Sequence, residues 1–508
     1  MNAHSVKRRP LPGTRRRPFN ADAANIGGGE VKLFEPLKIG GMSIPNRIMV
    51  PAMVTHLCKE DGVVTQDTIA RYVAYAAGGA GLIVVEAMAI HQVKSGPLLR
   101  ISDDKYIPEL RELTHRVHAT SDSKIVPQII HFLKVARTGW RQTADMLSLA
   151  DIDQIVEQFG DAVRRAREAG FDGAELHSAH AYTLSSFLSR ANPRTDEYGG
   201  QTLEGRLRLI GRVIESVRRK AGRDFPLGVR FNAEEFIKDG YTVMDSKLIA
   251  IRLAELGVDY ISLSAGGKFE DAVHTPGQVL FPYSGYSGDR CMPGDWLPRA
   301  LHAGIAAEVR AHLRSKGHRV PVAVAGKLDA PQDAERVVAE GMADIVGIAR
   351  GLLADPDWPV KVRNGNTDRI VQCDYCNVCK ALDGTHRAVI CALWPQGSIQ
   401  APKDDPAVQA PQWTQAGTSL TAIPGASQVE LKWSKAPGAA TYQVYRADAQ
   451  GDPQMIDAVK VTFWADNGVL GGHSYRYFVR PCAATGRPGA RSNTVAVEVP
   501  APSYMVSA

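Results

Sequence analysis

No apolar run in this 508-residue chain approaches the roughly 20 residues that cross a bilayer as a helix. The chain is therefore not expected in a membrane. A large excess of one charge is also missing. The formal net charge is +6, and residues 1–30 carry six basic residues (Lys7, Arg8, Arg9, Arg15, Arg16, Arg17) against Asp22 and Glu30, so that stretch supplies +4 of it. The remainder is nearly neutral, and nothing electrostatic points to nucleic acid. The tail continues as ADAANIGGG, too polar for the apolar part of a signal peptide. It reads as a disordered basic tail, its Arg-rich and acid-poor composition also fits an organelle transit peptide, and a cytoplasmic protein is expected. Cysteine is scarce: seven in all, four of them between 373 and 391. That excludes a disulfide framework and indicates metal ligation in a reducing compartment. A G-x-G-x-x-G fingerprint after a strand is absent too. With 44% hydrophobic and 22% charged residues, what is left is a globular chain of two or three domains.

From about residue 31 the pattern alternates between short apolar strands and amphipathic helices. The expected strands are Asn46–Met53, Gly81–Glu86, Lys124–His131, Phe171–His177, Pro226–Phe231, Asp259–Ser264, Val320–Ala325 and Ile345–Ile348. Helical stretches include 154–169, 203–220, 245–256 and 332–340. Eight strands and no dinucleotide fingerprint favour an α/β fold of the (β/α)8 TIM-barrel type over a doubly wound sheet. Such barrels place their chemistry at the C-terminal strand ends.

The fourth of those ends is the most informative. Residues 171–200 read FDGAELHSAHAYTLSSFLSRANPRTDEYGG. His177 ends an apolar run, His180 follows on a tightening turn, and Tyr182 comes two residues later. Two imidazoles so spaced can donate to one oxygen or anion while a phenol supplies a proton. The words H-S-A-H-A-Y, F-L-S-R-A-N-P-R-T-D-E-Y-G-G and E-G-R-L-R-L closely resemble the old yellow enzyme superfamily of FMN-dependent NAD(P)H:flavin oxidoreductases. That superfamily includes the barrel domain of 2,4-dienoyl-CoA reductase, and the resemblance spans roughly residues 31–395. It implies an enzyme that reduces an activated C=C bond of a small enone or enoyl substrate by hydride transfer from flavin N5. It further implies that His177 and His180 hold the substrate carbonyl or anion and that Tyr182 is the proton donor. The alternative within enzymes is oxidative demethylation or dehydrogenation of an N-methylated amine. Outside flavin chemistry stand an aldolase or isomerase barrel and a binding protein that acts through its C-terminal domain.

The same resemblance assigns cofactor contacts, and each is physically reasonable. Pro51, Ala52, Met53, Val54 and Ala87 are small or flat enough to lie under an isoalloxazine ring. Gln128 can pair with its pyrimidine edge, since an amide both donates and accepts. Arg230 places a positive charge where reduced flavin is anionic. Gly326, Lys327, Ala349 and Arg350 follow strands seven and eight, where barrels commonly bind phosphate. Two positions depart from the family pattern. Val54 lacks the usual hydroxyl or thiol unless Thr55 replaces it, and Ala349 stands where Gly usually precedes the Arg. The irregular loop after Gly266 offers Tyr283, Tyr286, Arg290 and Trp296 as a substrate mouth or as packing. Cys58 and Cys291 read as buried thiols.

Cys373, Cys376, Cys379 and Cys391 have the spacing C-x2-C-x2-C-x11-C, which suits a [4Fe–4S] cluster or a structural Zn. A similar segment follows the barrel in the dienoyl-CoA reductase and trimethylamine dehydrogenase branch, where it binds [4Fe–4S]. That branch usually has one more residue between the second and third cysteine, and no dinucleotide-binding fingerprint is found downstream to mark a donor for a cluster. After a Pro-, Gln- and Ala-rich linker the period changes to two: Val429, Leu431, Trp433; Tyr442, Val444, then Tyr445; Tyr475, Tyr477, Val479; Val495, Val497, Val499. This indicates an all-β, immunoglobulin-like sandwich. The words KWSKAPGAATYQVYRA and GHSYRYFVRPCAATGRPGARSNTVAVEV resemble a fibronectin type III domain, with Trp433 as core tryptophan, Tyr475 as corner tyrosine and Cys482 a core thiol. Its expected role is packing, dimerisation or adhesion to a partner. The expected organisation is a tail (1–30), an FMN-binding barrel (31–370), a four-cysteine segment (371–400), a linker (401–416) and a fibronectin-like domain (417–500).

Overall fold

Eight short apolar segments, each too brief to bury itself, close on one another. The computed structural model describes residues 31–93, 96–134, 142–268, 285–395, 397–403, 408–414, 419–425, 427–448 and 451–501. The basic tail, Tyr283 and parts of the expected linker lie outside these. The barrel strands are β1 (Ile48–Val50), β2 (Leu82–Ala89), β3 (Lys124–Ile130), β4 (Ala174–Ser178), β5 (Leu227–Asn232), β6 (Tyr260–Ser264), β7 (Val322–Ala325) and β8 (Ile345–Gly347). They pair in sequence order, all parallel, and β8 closes onto β1. A parallel strand packed by helices outside and by its neighbours inside has no solvent face, which is why every residue of β2 and β5 is buried. An antiparallel pair, Leu37–Ile39 with Met42–Ile44, packs its Ile39, Met42 and Ile44 against inward residues of the barrel such as Met49 and Val126.

The outer helices start where side chains cap their free N–H groups. Thr65, Ser148 and Thr242 each form a capping box ahead of Gln66–Ala77, Leu149–Glu168 and Val243–Glu255. All eight expected strands form. One difference from expectation lies in β2, which runs on past Glu86 to Ala89. Its register shifts between Val85 and Ala87, and this bulge buries the Glu86 carboxylate while Ala87 lines the cleft described below.

After the barrel, seven strands form two antiparallel sheets. β9 (Leu420–Pro424), β10 (Val429–Trp433) and β13 (Phe463–Asp466) make one; β12 (Gln454–Val459), β11 (Thr441–Asp448), β14 (Ser474–Cys482) and β15 (Val495–Glu498) make the other. Along β10 buried Val429, Leu431 and Trp433 alternate with exposed Glu430 and Lys432. On β11 successive Val444 and Tyr445 are both buried and point to opposite faces. Val444 joins the sandwich core, whereas Tyr445 stacks on Phe478, ring centroids 4.5 Å apart, against Cys376 and Val378. Tyr475 accepts a bond at its hydroxyl from the Leu470 N–H at 3.0 Å. Among the described residues no helix is long and apolar enough to cross a membrane.

Candidate active site

β4 delivers His177 to the C-terminal mouth of the barrel, where it is 4% exposed. The chain then turns sharply. His180 and Ala181 both take left-handed backbone angles (φ 61° and 64°), a strained conformation that surrounding structure must hold. Part of that support comes from the end of β6. His180 pairs with Gly267, whose backbone comes so close that a Cβ there would lie 2.4 Å from the His180 Cα. Lys268 closes the contact by donating its N–H to the His180 carbonyl at 3.3 Å.

This turn brings three side chains together. The His177 and His180 rings meet edge to face at 5.1 Å, and the His177 and Tyr182 rings at 5.0 Å. His177 Nδ1 accepts the Ala179 N–H at 3.2 Å, which leaves Nε2 as the protonated nitrogen and a donor. His180 Nε2 lies 2.7 Å from Ser264 Oγ, and Ser264 Oγ accepts from Arg230 at 3.2 Å. Burial pushes the His177 pKa down to about 3, and the charges of Arg230 and Lys268 add to the shift. His180 is lowered as well, by burial first and then by His177 and Arg230. Both imidazoles are therefore neutral donors at working pH. The pH profile of kcat/KM is expected to show no histidine ionisation between about pH 5 and 8, the usual range of an imidazole. An inflection near pH 6.5 that vanishes in His177→Asn would contradict this.

The residues assigned to flavin and to catalysis line one cleft, from Pro51–Val54 through Ala87, Gln128, His177, His180, Tyr182 and Arg230 to Gly326, Lys327, Ala349 and Arg350. Thr55 does not stand in for Val54: its N–H and hydroxyl bond the buried Glu86 at 2.7 and 2.5 Å, and it does not line the cleft. Lys327 donates to the carbonyls of Gly294, Asp295 and Leu297 at 2.6–3.1 Å, holding that turn. Its pKa is lowered to about 8, by burial and then by Arg350. Both cations face the Tyr375 ring, at 4.4 and 4.7 Å. Two like charges placed together in one cleft, with Arg230 in the same cleft, make a donor set suited to an anionic, phosphate-bearing cofactor such as FMN.

Several residues of the cleft escaped the sequence reading. Glu175, fully buried inside the barrel, accepts from Gln128 Nε2 at 2.7 Å and from the Tyr260 hydroxyl at 3.1 Å. It thereby sets the direction of the Gln128 amide. Burial raises its pKa against the pull of Arg230 and these bonds. The available signal was a lone glutamate within an apolar strand. Lys268 sits 5.1 Å from the Tyr182 ring centroid. Burial works against its charge, but the hydrogen bond and charge interaction with Tyr182 hold its pKa above the ordinary lysine value. Cys291, Met292, Pro293, Tyr375 and Asp383 also line the cleft. Asp383 pairs with His56 at 3.0 Å. Cys291 thus faces the cleft rather than being a simple core thiol, whereas Cys58 and Cys482 are buried as expected. In the loop after Gly266, Tyr286 is 61% exposed and lies under Arg290, and Trp296 lies near Arg476. None of the three lines the cleft.

The structure does not confirm the metal-site expectation for the four cysteines. Among the described residues no group of three or more His, Cys, Asp or Glu side chains is placed to hold a metal ion. Cys373, Cys379 and Cys391 sit in an apolar cluster with Leu353, Val389, Leu393 and Trp394. Cys376 turns instead onto Tyr445 and Phe478 of the C-terminal sandwich. Burial raises the pKa of all four thiols. No step is assigned to a cluster.

A closed parallel barrel with imidazoles, a phenol and cations gathered at its C-terminal mouth has the layout of a (β/α)8 enzyme site. The match of residues 32–284 and 299–369 to the NADH:flavin oxidoreductase / NADH oxidase family model shows that the chain belongs to that family. It is 35% identical over 367 residues to an NADH oxidase of Thermoanaerobacter brockii, covering 68% of this chain and 53% of the relative. It is 29% identical over 395 residues to a cinnamate reductase of Clostridium sporogenes, covering 72% of this chain and 57% of the relative. The chain thus spans little more than half the length of these two relatives. A 2-naphthoyl-CoA reductase in complex with 2-naphthoyl-CoA shares the fold, with TM-score 0.62 and 23% identity over 78% of this chain and 60% of that one.

Proposed function

We propose that the protein is an FMN-dependent NAD(P)H oxidoreductase that reduces an activated C=C bond. The observation that carries this reading is the convergence of neutral His177 and His180 with Tyr182 in one cleft. The cinnamate reductase among its relatives supports the same class of substrate. Gln128 and Arg230 would hold the ring's polar edge, residues 51–54 and Ala87 its face, and Gly326, Lys327, Ala349 and Arg350 its phosphate. FMN, when bound, supplies hydride chemistry. The two imidazole N–H groups bind the substrate carbonyl and stabilise the negative charge that builds on its oxygen. Tyr182 gives its phenolic proton to the α-carbon. Lys268, beside that phenol, stabilises the phenolate left behind. The C-terminal sandwich is read as a fibronectin type III-like domain, with the domain boundaries given above.

A second reading has one observation in its favour. The Asp383 carboxylate lines the same cleft and suits a cationic amine, which the enzyme would oxidise. An anaerobic visible spectrum, with metal analysis, separates these. A flavin band that bleaches with NADH or NADPH and recovers with an enone or enoate is expected. Bleaching by an N-methylated amine alone would favour the second reading, and a colourless protein that takes up no FMN would overturn both.

A further inference from the structure

Nothing above gives the C-terminal sandwich a part in the chemistry, yet several of its charged side chains pair with residues beside the cleft. Asp452 precedes β12. It accepts from Asn377 Nδ2 at 2.6 Å and from Lys380 Nζ at 3.1 Å, and both charged side chains are nearly inaccessible (5% and 2%). The other end of the Asn377 amide accepts, at Oδ1, from Arg350 Nη1, which also donates to the Pro293 carbonyl at 2.8 Å. A second buried pair joins Arg480 of β14 to Asp374 at 3.1 Å. Partly exposed Arg491 pairs with Asp295 at 3.2 Å, and the Asp295 carbonyl accepts from Lys327.

Buried ion pairs gain little net stability, because each charge must shed its water. What they do give is direction. An amide has one donor end and one acceptor end. With its Nδ2 committed to Asp452, Asn377 can offer Arg350 only its oxygen. Asn377 itself is held at φ +56°, a left-handed angle that asparagine tolerates. We infer that the C-terminal sandwich is a working part of the cofactor site: Asp452, acting through Asn377, positions the Arg350 guanidinium for the phosphate of FMN. This rests on the flavin reading above. Asp452 and Asn377 are positioning residues, and neither lines the cleft.

The test is a fluorescence titration of the deflavinated full-length protein with FMN and, separately, with riboflavin, which lacks the phosphate. Wild type is expected to prefer FMN. Asp452→Asn and Asn377→Gly are expected to weaken FMN binding about tenfold, the effect of degrading one charge-assisted contact, and to leave riboflavin binding within twofold. Glycine accepts the left-handed angle at 377, so that variant tests the relay even if the lost charge at 452 hinders folding. In an Arg350→Met background neither change should weaken FMN further. Equal losses for FMN and riboflavin would mean a merely structural role and overturn the proposal. So would variants that keep the wild-type preference, with the flavin reading left standing. A wild type that binds neither compound would overturn the flavin reading and this proposal together.

Discussion

Replacing Tyr182 by Phe is expected to slow reoxidation of the reduced enzyme by an enone about 10²–10⁴-fold, the range of a lost general acid. Reduction of the enzyme by NAD(P)H should change less than about threefold, since that half-reaction needs no proton from the phenol. The geometry explains the split. Tyr182 lies against His177 at 5.0 Å and under the charge of Lys268, while its ring keeps packing against Val54, Phe132 and the Ala87–Ala89 cluster. Phenylalanine retains that packing and removes only the hydroxyl. Stopped-flow measurement of both half-reactions decides the matter. Equal loss in the two halves would show that Tyr182 shapes the cleft rather than donating a proton, and no loss in either would assign the proton to another donor.

The second large effect concerns stability. Glu235, just past β5, is fully buried. One of its oxygens accepts from the Tyr241 N–H at 2.8 Å and from Ser189 at 3.0 Å, while the other has no partner. Burial raises its pKa from 4.5 to about 7 despite those bonds and the nearby Arg206. Below pH 4.5 the carboxyl is protonated in both the folded and unfolded chain. Between 4.5 and 7 the unfolded chain gives up its proton first, so stability falls as pH rises, and above 7 the loss is complete. Over that span the loss comes to roughly 3 kcal/mol, at about 1.4 kcal/mol per unit. Glu235→Gln cannot titrate. It suffers a constant cost from its buried amide and none of the pH dependence. The Tm difference between variant and wild type is expected to move in the variant's favour by several degrees between pH 4.5 and 8. A difference that does not change with pH would show that Glu235 is ionised in the folded protein throughout.

The sequence showed the barrel clearly because a parallel strand buried on all sides must be a short unbroken apolar run, and eight such runs alternate with amphipathic helices. His177, His180 and Tyr182 lie within six residues of one another, so their convergence needed only one turn. The partners of these groups lie far away in the chain. Lys268 reaches Tyr182, and Ser264 reaches His180, only because β4 and β6 end at the same mouth. Glu175 looked like one more strand residue until barrel closure set it beside Gln128 and Tyr260. In the cysteine segment, too, tertiary packing intervenes. Spacing says which thiols could meet, but side-chain direction is set by packing. Here the sandwich draws Cys376 toward Tyr445 and Phe478.

By itself, then, the sequence determined the eight-stranded barrel, the position of the cleft, the two imidazoles with their phenol, and an alternating all-β region behind them. These follow from local periodicity and from groups close along the chain. Only the tertiary structure decided the charge states of the histidines, the orientation of Gln128, the engagement of Lys327 and the link from Asp452 to Arg350. Each of those depends on burial and on contacts between residues tens of positions apart in the chain, brought together by closure of the barrel and docking of the sandwich.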